Sequence, residues 1–574
     1  MLKCTPAALR DEINASVKHR DVVLSQASEL VEQYRSGVTG EKPKSRDNHP
    51  FEYVSVAIPQ LAFNNPRASV TSRQRGKSEA VAKAINCGLN RWVVDTNLRS
   101  PLQAVAVDFM FTFGAMVTTA APAWQKNRST PIFWPVTKRL SPKRFVWDLT
   151  AATPEECQWM GHVCVAYKDD LLEEARKNPS SGWDTAALSK ASEDDGTDEL
   201  GRPQTEKVSR KEFVYYEVWV PGAKLDGYEP SDGFNGVIYT LPYRGFDGEA
   251  NDGAKWVRKP RPFYGPAWGP YSFFGAYGVP DDMRPMSPLL AVFQNVKEVE
   301  AHGATISESA KRYKRFVLFE SGQKALGKAL KNGKHDTVIP VESFDPKYAQ
   351  QYEVGGITPQ MVEQYQLEKS RLDQLSGMSD AIRGTANKST TATGDTIAAQ
   401  AASSRMSFLK KQFIDATQTM LRTVAWYLYH DDRIIFSLGS EDADELGMQA
   451  PVFMGGNLED QSGMSFDDLE LEIDPYSMER VDEGLMQKRA NEVFQLITAV
   501  APAIPQAPYL DWKWLLEMMG NVHNMSGLSD VVNMEAVKKM AQGMAGPTKA
   551  TFPRIGGTPT PGQSMGQVAG GAYA

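Results

Sequence analysis

The stretch "TGDTIAAQAASSRMSFLKKQFIDATQTMLRTVAWYLYHDD", residues 393–432, predicts one very long helix. Its apolar side chains recur at helical spacing over ~35 residues, which corresponds to about 50 Å at the usual helical rise. The members of this stripe are Met406, Leu409, Phe413, Met420, Val424 and Tyr427. Thr393 can cap the first turn, and Asp395 suits the positive end of the helix dipole. The stretch therefore predicts the longest element of the chain.

The helix is preceded by a polar loop, since "SGMSDAIRGTANKSTTATGDTIAAQ" (residues 376–400) consists mostly of small and polar residues. A loop of this length inside a compact region is uncommon and is usually functional or disordered. Its candidate functional residues are Arg383, Lys388, Ser389, Thr390, Thr391 and Thr393, with Gly377, Gly384 and Gly394 as hinges. The glycines are assigned as hinges because they permit backbone movement.

Two further helices begin with the same capping signal, Ser287-Pro288 and Thr358-Pro359. Their predicted apolar faces are Leu289, Val292, Val296 and Val299 in the first, and Met361, Tyr365, Leu372 and Leu375 in the second. We expect them to run antiparallel as a stalk with a lysine-rich module at its tip. The lysines of that module, which serve either partner docking or solubility, are Lys324, Lys328, Lys331 and Lys334. Helices with such partial stripes need partners, and self-association into a ring would supply them.

The rest of the chain alternates helical and strand-like segments. Helices are predicted at Ala80–Trp92, Leu102–Met116, Asp169–Lys177, 483–500, 510–519 and 530–544. Strands are predicted at Phe145–Trp147, Gly161–Val165, 211–222, 235–245 and around Leu469, Leu471 and Ile473, with 211–222 and 235–245 as antiparallel neighbours. These segments predict an α+β fold that is mainly helical, with a disordered tail at 546–574.

Composition and charge exclude several classes of protein. The net charge of −7 over 574 residues argues against a tight, static nucleic-acid binder, which needs Lys and Arg to neutralise phosphates. The apolar run at 101–122 contains Gln103 and Asp108, so it predicts a buried helix and no membrane partner. The first residues have no apolar run of the secretory type.

The cysteines predict reduced thiols and no metal site. Cys4, Cys87, Cys157 and Cys164 form neither a C-x-x-C pair nor a zinc spacing. His162 lies between the last two, but two cysteines and one histidine do not make a metal site. The chain's seven histidines are scattered and form no ligand pattern, so no cofactor is expected.

Catalytic motifs are incomplete. "GQKALGKA", residues 322–329, has the spacing of a phosphate-binding loop, but Ala329 stands where Ser or Thr must ligate Mg²⁺. "GQSMG" at 562–566 fits a nucleophile elbow but lies in the low-complexity tail. The chain is therefore predicted not to be an enzyme. The alternatives are an ATP-using nucleic-acid motor built on Gly322–Lys328 and a monomeric or small-oligomer scaffold.

Several segments in a particular order resemble one protein family. These are "RLSPKRFVWDLTA" followed by "HVCVAYKDDLLEEA", then "YYEVWVPG", "GMSDAIRGTANKSTTATGDTIAAQAASSRM" and "DLELEIDPYSM". They resemble, respectively, an S-P-x-x-F-x-x-D-x-x-A segment with its helix, a Y-E-x-W strand, a glycine-bounded loop leading to a helix with S-x-R, and a strand ending in x-P-x-S. Their order, from about residue 50 to 545, resembles the portal proteins of tailed bacteriophages. Long insertions around Ser180–Arg210 and Asp247–Pro260 depart from that pattern.

The resemblance implies a dodecameric ring around an axial channel, at a unique capsid vertex of the virion, assembled in the host cytoplasm. The implied segments are an N-terminal helix and linker (1–49), a wing (50–285), a stem helix (286–315), a clip (316–357), a second stem helix (358–376), a tunnel loop (377–394), a long wing or channel helix (395–432), a wing return with a strand (433–482), crown helices (483–545) and the disordered tail (546–574). In the tunnel loop Arg383 and Lys388 either steer viral double-stranded DNA or are ordinary solvated charges. Implied partners are the terminase, the major capsid and scaffolding proteins, and head-completion or tail adaptor proteins.

Overall fold

The structure is a computed structural model. It describes residues 4–35, 48–73, 77–123, 132–190, 212–243, 255–319, 328, 349–354, 356–376, 392–439, 452–456, 465–474 and 477–478. All of these belong to one compact unit spanning Met1–Arg480, and Val481–Ala574 form a second unit. The predicted helices at 483–545 and the predicted tail at 546–574 lie outside the described residues.

The described helices fall before and between the strands of this unit. They are α1 (Pro6–Tyr34), α2 (His49–Leu61), α3 (Lys77–Thr96), α4 (Arg99–Phe111), α5 (Lys168–Lys177), α6 (Thr185–Lys190), α7 (Pro288–Ala291), α8 (Phe293–Arg312), α9 (Pro359–Ser376) and α10 (Ala392–His430). The prediction of α5 at Asp169–Lys177 is confirmed to within one residue.

The described strands build six sheets. They are β1 (Ala68–Ser72), β2 (Gly114–Ala123), β3 (Ile132–Leu140), β4 (Phe145–Trp147), β5 (Met160–Tyr167), β6 (Glu212–Val220), β7 (Phe234–Pro242), β8 (Arg258–Tyr264), β9 (Tyr271–Phe274), β10 (Tyr277–Val279), β11 (Asp282–Met286), β12 (Lys314–Phe319), β13 (Ala349–Val354), β14 (Ile435–Ser437), β15 (Val452–Met454) and β16 (Leu469–Ile473). The largest sheet has the order β4-β5-β6-β7-β8, and a three-stranded sheet has the order β3-β2-β9. The pairs β1-β16, β10-β11, β12-β13 and β14-β15 complete the set.

The prediction of a mainly helical fold of the portal type is wrong. The described part of the chain is 53% helix and 26% strand, so sheets are a second major component and the fold is mixed. The sequence patterns gave no strands at β2, β3, β8 or β9. Strands β2 and β9 are buried over much of their length, and such strands lack the alternation of apolar and polar residues by which a half-buried strand is detected.

The apolar run at 101–122 illustrates this error. A helix was predicted over Leu102–Met116, but α4 ends at Phe111 and Met116 lies in β2. Gly114 turns the chain back against α4, where an added Cβ would lie 2.5 Å from Cγ1 of Val105. The absence of a side chain at Gly114 therefore lets β2 begin directly beside the helix. Within the described residues, no helix combines the length and apolar character needed to cross a bilayer.

The long helix α10 forms the centre of the main core, as its stripe predicted. The buried members are Met406, Leu409, Phe413, Met420, Val424 and Tyr427. Polar side chains fix the helix to the end of β8 and to the segment after it. Thr423 accepts a hydrogen bond from the Trp268 indole at 2.9 Å, and the Tyr427 hydroxyl donates to the carbonyl of Tyr264, the last residue of β8, at 3.0 Å. These two hydrogen bonds therefore position the C-terminal half of α10.

Residues distant in sequence close the unit. Strand β1 pairs antiparallel with β16, from Ala68 opposite Ile473 to Ser72 opposite Leu469. The predicted strand around Leu469, Leu471 and Ile473 is confirmed by this pairing. The predicted antiparallel neighbours at 211–222 and 235–245 are also confirmed, since β6 pairs antiparallel with β7.

The five-stranded sheet is covered on both faces. Leu9 and Ile13 of α1 pack on one face against Val163 and Val218. The opposite face meets α5 and α6 at one end, where Trp183 and Leu188 pack on Tyr215. At the other end it meets the three-stranded sheet, with Tyr271 and Phe145 in the same cluster. This second face is therefore an interior layer between two sheets.

Candidate functional site

The predicted stalk begins at the cap that the sequence indicated. The Ser287 hydroxyl accepts a hydrogen bond from the Leu290 amide at 3.1 Å. The helical segment has a break at Val292, which ends α7 and precedes α8. The whole predicted stripe of Leu289, Val292, Val296 and Val299 is nevertheless buried. The apolar stripe therefore continues from α7 into α8 and faces the core in both helices.

Helices α8 and α9 form an antiparallel hairpin, as predicted. The strands that join them pair in register from Lys314 opposite Val354 to Phe319 opposite Ala349. The Tyr313 ring lies against Gly356, where an added Cβ would be 3.0 Å away, and Gly303 faces Tyr365 at 3.5 Å by the same measure. With 20 residues in α8, the hairpin is about 30 Å long.

The outer surface of α9 carries apolar side chains without cover in the single chain. Leu367 is 47% exposed and Leu375 is 53% exposed. Leu375 was predicted for the buried face, and that part of the stripe is wrong, whereas Leu372 is buried as predicted. Glu368 is buried instead, and it accepts hydrogen bonds from Arg371 at 2.8 Å and Gln364 at 3.1 Å. The exposed leucines make this helix a candidate for contact with another copy of the chain.

Most of the predicted tunnel loop lies outside the described residues. This holds for Gly377, Arg383, Gly384, Lys388, Ser389, Thr390 and Thr391. Thr393 and Gly394 were assigned to the loop, but α10 already begins at Ala392, so both belong to its first turn. The segment between the two helices is therefore 377–391.

A side chain that sequence reasoning missed joins the last turn of α9 to α10, thirteen residues after the start of α10. The Arg405 guanidinium of α10 donates through Nη1 to the carbonyls of Gln374 and Leu375 in the last turn of α9. Carbonyls at the C-terminal end of a helix lack partners within it, and a cation there also complements the dipole. The available signal was the S-x-R pattern at Ser403 and Arg405. This contact, the Arg405 clamp, joins the two helices that precede and follow segment 377–391 in sequence.

A second contact positions α10 next to this clamp. The rings of Tyr277 and Phe408 stack at a centroid distance of 5.7 Å and an interplanar angle of 8°. Tyr277 belongs to the hairpin β10-β11, so this hairpin supports α10 one turn beyond Arg405. Burial raises the pKa of Tyr277 above its ordinary value.

Arg405→Ala is expected to release the end of α9. The loss of two charge-assisted hydrogen bonds at an exposed site lowers the free energy of unfolding by about 1 kcal/mol. The larger expected effect is local: amides in the last turn of α9 exchange hydrogen faster, measured by hydrogen–deuterium exchange. Lys411→Ala, which removes an exposed cation from the same helix, is the matched control and should leave that exchange unchanged. Equal exchange in both variants would contradict the clamp.

The predicted docking lysines lie between β12 and β13 in sequence. Lys324, Lys331 and Lys334 lie outside the described residues, and Lys328 is exposed. Strand β12 precedes the motif at Gly322–Lys328 and pairs antiparallel with β13 in a two-stranded sheet. A phosphate-binding loop instead follows a strand of a parallel sheet flanked by helices. This geometry weighs against an ATP-binding loop here.

No family model matches the chain, and a search of the curated proteins finds no significant match.

Proposed function

We propose that this protein is a portal protein of a tailed bacteriophage. It forms a ring at one capsid vertex through which viral double-stranded DNA is packaged and ejected. The ring also docks the terminase during packaging and head-completion or tail adaptor proteins afterwards. The proposal rests on the ordered sequence resemblance and on one local arrangement, independently of the overall fold.

The observation that carries the proposal is the Arg405 clamp between the two helices that flank segment 377–391 in sequence. Arg405 ties α10 to the last turn of α9. The segment is rich in Ser, Thr, Asn and Gly, with Arg383 and Lys388 as its cations. Fixed lysine–phosphate contacts create salt-dependent binding, which hinders sliding. A loop with short polar side chains and little charge suits a surface past which DNA moves.

The exposed side chains of the hairpin support ring formation. Leu367 and Leu375 on α9 would otherwise remain in water, and a cyclic arrangement of copies covers such a surface on every subunit. The net charge of −7 per chain repeats around the ring. A surface of that sign favours passage of a polyanion over its retention.

The first test is the size and shape of the purified particle. Negative-stain electron microscopy with native mass spectrometry should show a ring with a central hole, in dodecameric form. Compact monomers or dimers at high concentration would overturn the proposal. Leu367→Glu with Leu375→Glu should abolish ring formation while the monomer keeps its circular dichroism spectrum. Glu363→Lys, a charge change on the same helix, is the control and should leave rings intact.

The second test separates the channel from the ring. Replacing residues 378–390 by a short Gly-Ser linker should leave ring assembly unchanged and strongly reduce packaging of DNA into capsids. The Arg383→Ala, Lys388→Ala double variant distinguishes the two interpretations of these cations. If they steer DNA, packaging should be reduced. If they are ordinary solvated charges, packaging should be unchanged. Normal packaging with the linker would show that the segment is not a channel loop.

A further inference from the structure

Between the two larger sheets, three side chains of metal-binding type come together. His162 of β5 and Glu217 of β6 are directly opposite each other in the antiparallel register. Cys164 follows two residues after His162 and therefore lies on the same face of β5. One ligand atom from each of the three lies within 4.8 Å of the others, and His162 Nε2 is 3.1 Å from Cys164 Sγ.

The surrounding hydrogen bonds fix which imidazole nitrogen faces the cluster. The Tyr271 hydroxyl oxygen is 3.4 Å from the Glu217 carbonyl, to which it donates because a carbonyl only accepts. The same hydroxyl lies 2.9 Å from His162 Nδ1 and is left to accept from it. The proton of the imidazole is therefore on Nδ1, and the Nε2 lone pair points at Cys164.

All three groups are partly buried, and burial acts differently on the imidazole and on the thiol. Desolvation lowers the pKa of His162, so its imidazole is neutral at neutral pH. Desolvation also raises the pKa of the Cys164 thiol. Arg261 of β8 pairs with Oε1 of Glu217 at 2.5 Å, so the second carboxylate oxygen, Oε2, is the one offered to a metal ion. Imidazole, thiol and carboxylate thus meet in one partly buried cluster.

We propose that His162, Cys164 and Glu217 bind a divalent metal ion of the zinc type through Nε2, Sγ and a carboxylate oxygen. Thiolate and imidazole ligands select zinc-like ions over Mg²⁺ and Ca²⁺, which prefer oxygen ligands alone. With zinc bonds of about 2.0–2.3 Å, tetrahedral ligands are roughly 3.3–3.6 Å apart, so the nitrogen and sulfur separate by less than 1 Å on binding. A fourth position remains for water.

Binding has a defined proton balance and a structural consequence. The metal replaces the thiol proton of Cys164, so one proton is released for each ion bound. Tyr271 belongs to β9 of the three-stranded sheet and orients His162 of the five-stranded sheet. It is a positioning residue, since hydrogen bonds to the second nitrogen of a metal-bound imidazole strengthen its ligation. The ion therefore links β5 and β6 and braces them against the neighbouring sheet.

The test is a titration of the full-length, chelator-treated protein with Co²⁺ as the spectroscopic probe. We expect one Co²⁺ per chain, visible ligand-field bands, and a thiolate-to-cobalt charge-transfer band that Zn²⁺ removes. Zn²⁺ should also raise the melting temperature. Mg²⁺ and Ca²⁺ should neither remove the cobalt band nor raise the melting temperature. Cys164→Ser should lose the charge-transfer band, and His162→Gln should lose tight binding. Tyr271→Phe should weaken binding by about 10- to 100-fold without removing the band.

Cys157→Ser is the matched control, because Cys157 is also a buried thiol. Its Sγ lies 3.4 Å from Sδ of Met283 and not in the cluster. It should keep the full cobalt spectrum. A wild-type protein that shows no charge-transfer band at saturating Co²⁺ while folded would overturn the site, and this result needs no variant to fold. Unchanged Co²⁺ affinity in Cys164→Ser would overturn it as well. Neither outcome depends on whether the protein forms a ring.

Discussion

Arg139→Met is expected to lower the free energy of unfolding by about 3 kcal/mol, at the lower end of the usual cost of breaking a buried ion pair. Arg139 of β3 makes a bidentate pair with Asp108 of α4, at 2.5 Å from Nε to Oδ2 and 2.6 Å from Nη2 to Oδ1. Asp108 is only 9% exposed, so the variant leaves a carboxylate with little access to water. The Arg139 side chain is 38% exposed, so water can reach the Asp108 carboxylate once the guanidinium is removed. This hydration limits the loss of stability.

The measurement is chemical denaturation of both single variants and the double variant Asp108→Leu, Arg139→Met. Asp108→Leu should cost less than Arg139→Met, since the remaining guanidinium reaches solvent. The double variant should be close to the wild type, because a buried ion pair replaced by apolar groups of similar volume is often neutral. Additive losses from the two single changes would show that the pair itself contributes little.

Acidification gives this prediction a second readout. Burial raises the pKa of Asp108 despite the hydrogen bonds from Arg139, and without Arg139 that pKa rises further. A carboxyl group with a raised pKa in the folded state binds its proton more readily when folded than when unfolded. The loss caused by Arg139→Met is therefore full at neutral pH and shrinks as the pH falls. A loss that grows on acidification would contradict the assignment.

Phe413→Ala is expected to cost about 3–5 kcal/mol, the usual range for removing a buried phenylalanine ring. Phe413 has no exposed surface and lies at the centre of α10. Its ring meets Phe109 edge-on at 5.6 Å and Phe274 at 5.1 Å. These rings come from α4 and β9, so the cavity would lie where a helix, a sheet and α10 converge.

Phe408→Ala is the matched control, since it removes the same ring from the same helix. Phe408 is 44% exposed and stacks only on Tyr277 among the ring contacts described. Its loss should cost about 1 kcal/mol or less by chemical denaturation. Equal losses for the two variants would contradict the placement of the core along α10.

The sequence predicts elements whose pattern is local. The stripe of α10, the Ser287 cap and the alternation of β16 each need only neighbouring residues, and each is confirmed. Strand β2, which lies within the run at 101–122, was missed because a short apolar run does not distinguish a buried helix from a buried strand. The expected helical fold failed for this reason.

Side chains that act across sequence-distant elements escaped prediction for a different reason. The Arg405 contact depends on the packing of α9 against α10, and the pairing of Glu217 with His162 depends on sheet register. The cysteine pattern alone indicated no metal site, because it lacks the third ligand that β6 brings to β5. The loop residues from Gly377 to Thr391 remain predictions.

The pairing of β1 with β16 has a consequence for synthesis on the ribosome. Ala68 emerges about 400 residues before its partner Ile473, and translation at about 5–20 residues per second makes that interval roughly 20–80 s. Throughout that time β1 presents unpaired backbone groups that invite association with other nascent chains. Prematurely terminated chains that end before Leu469 never receive this partner. Slow elongation or loss of chaperones should therefore lower the yield of native protein before it alters the stability of the finished molecule.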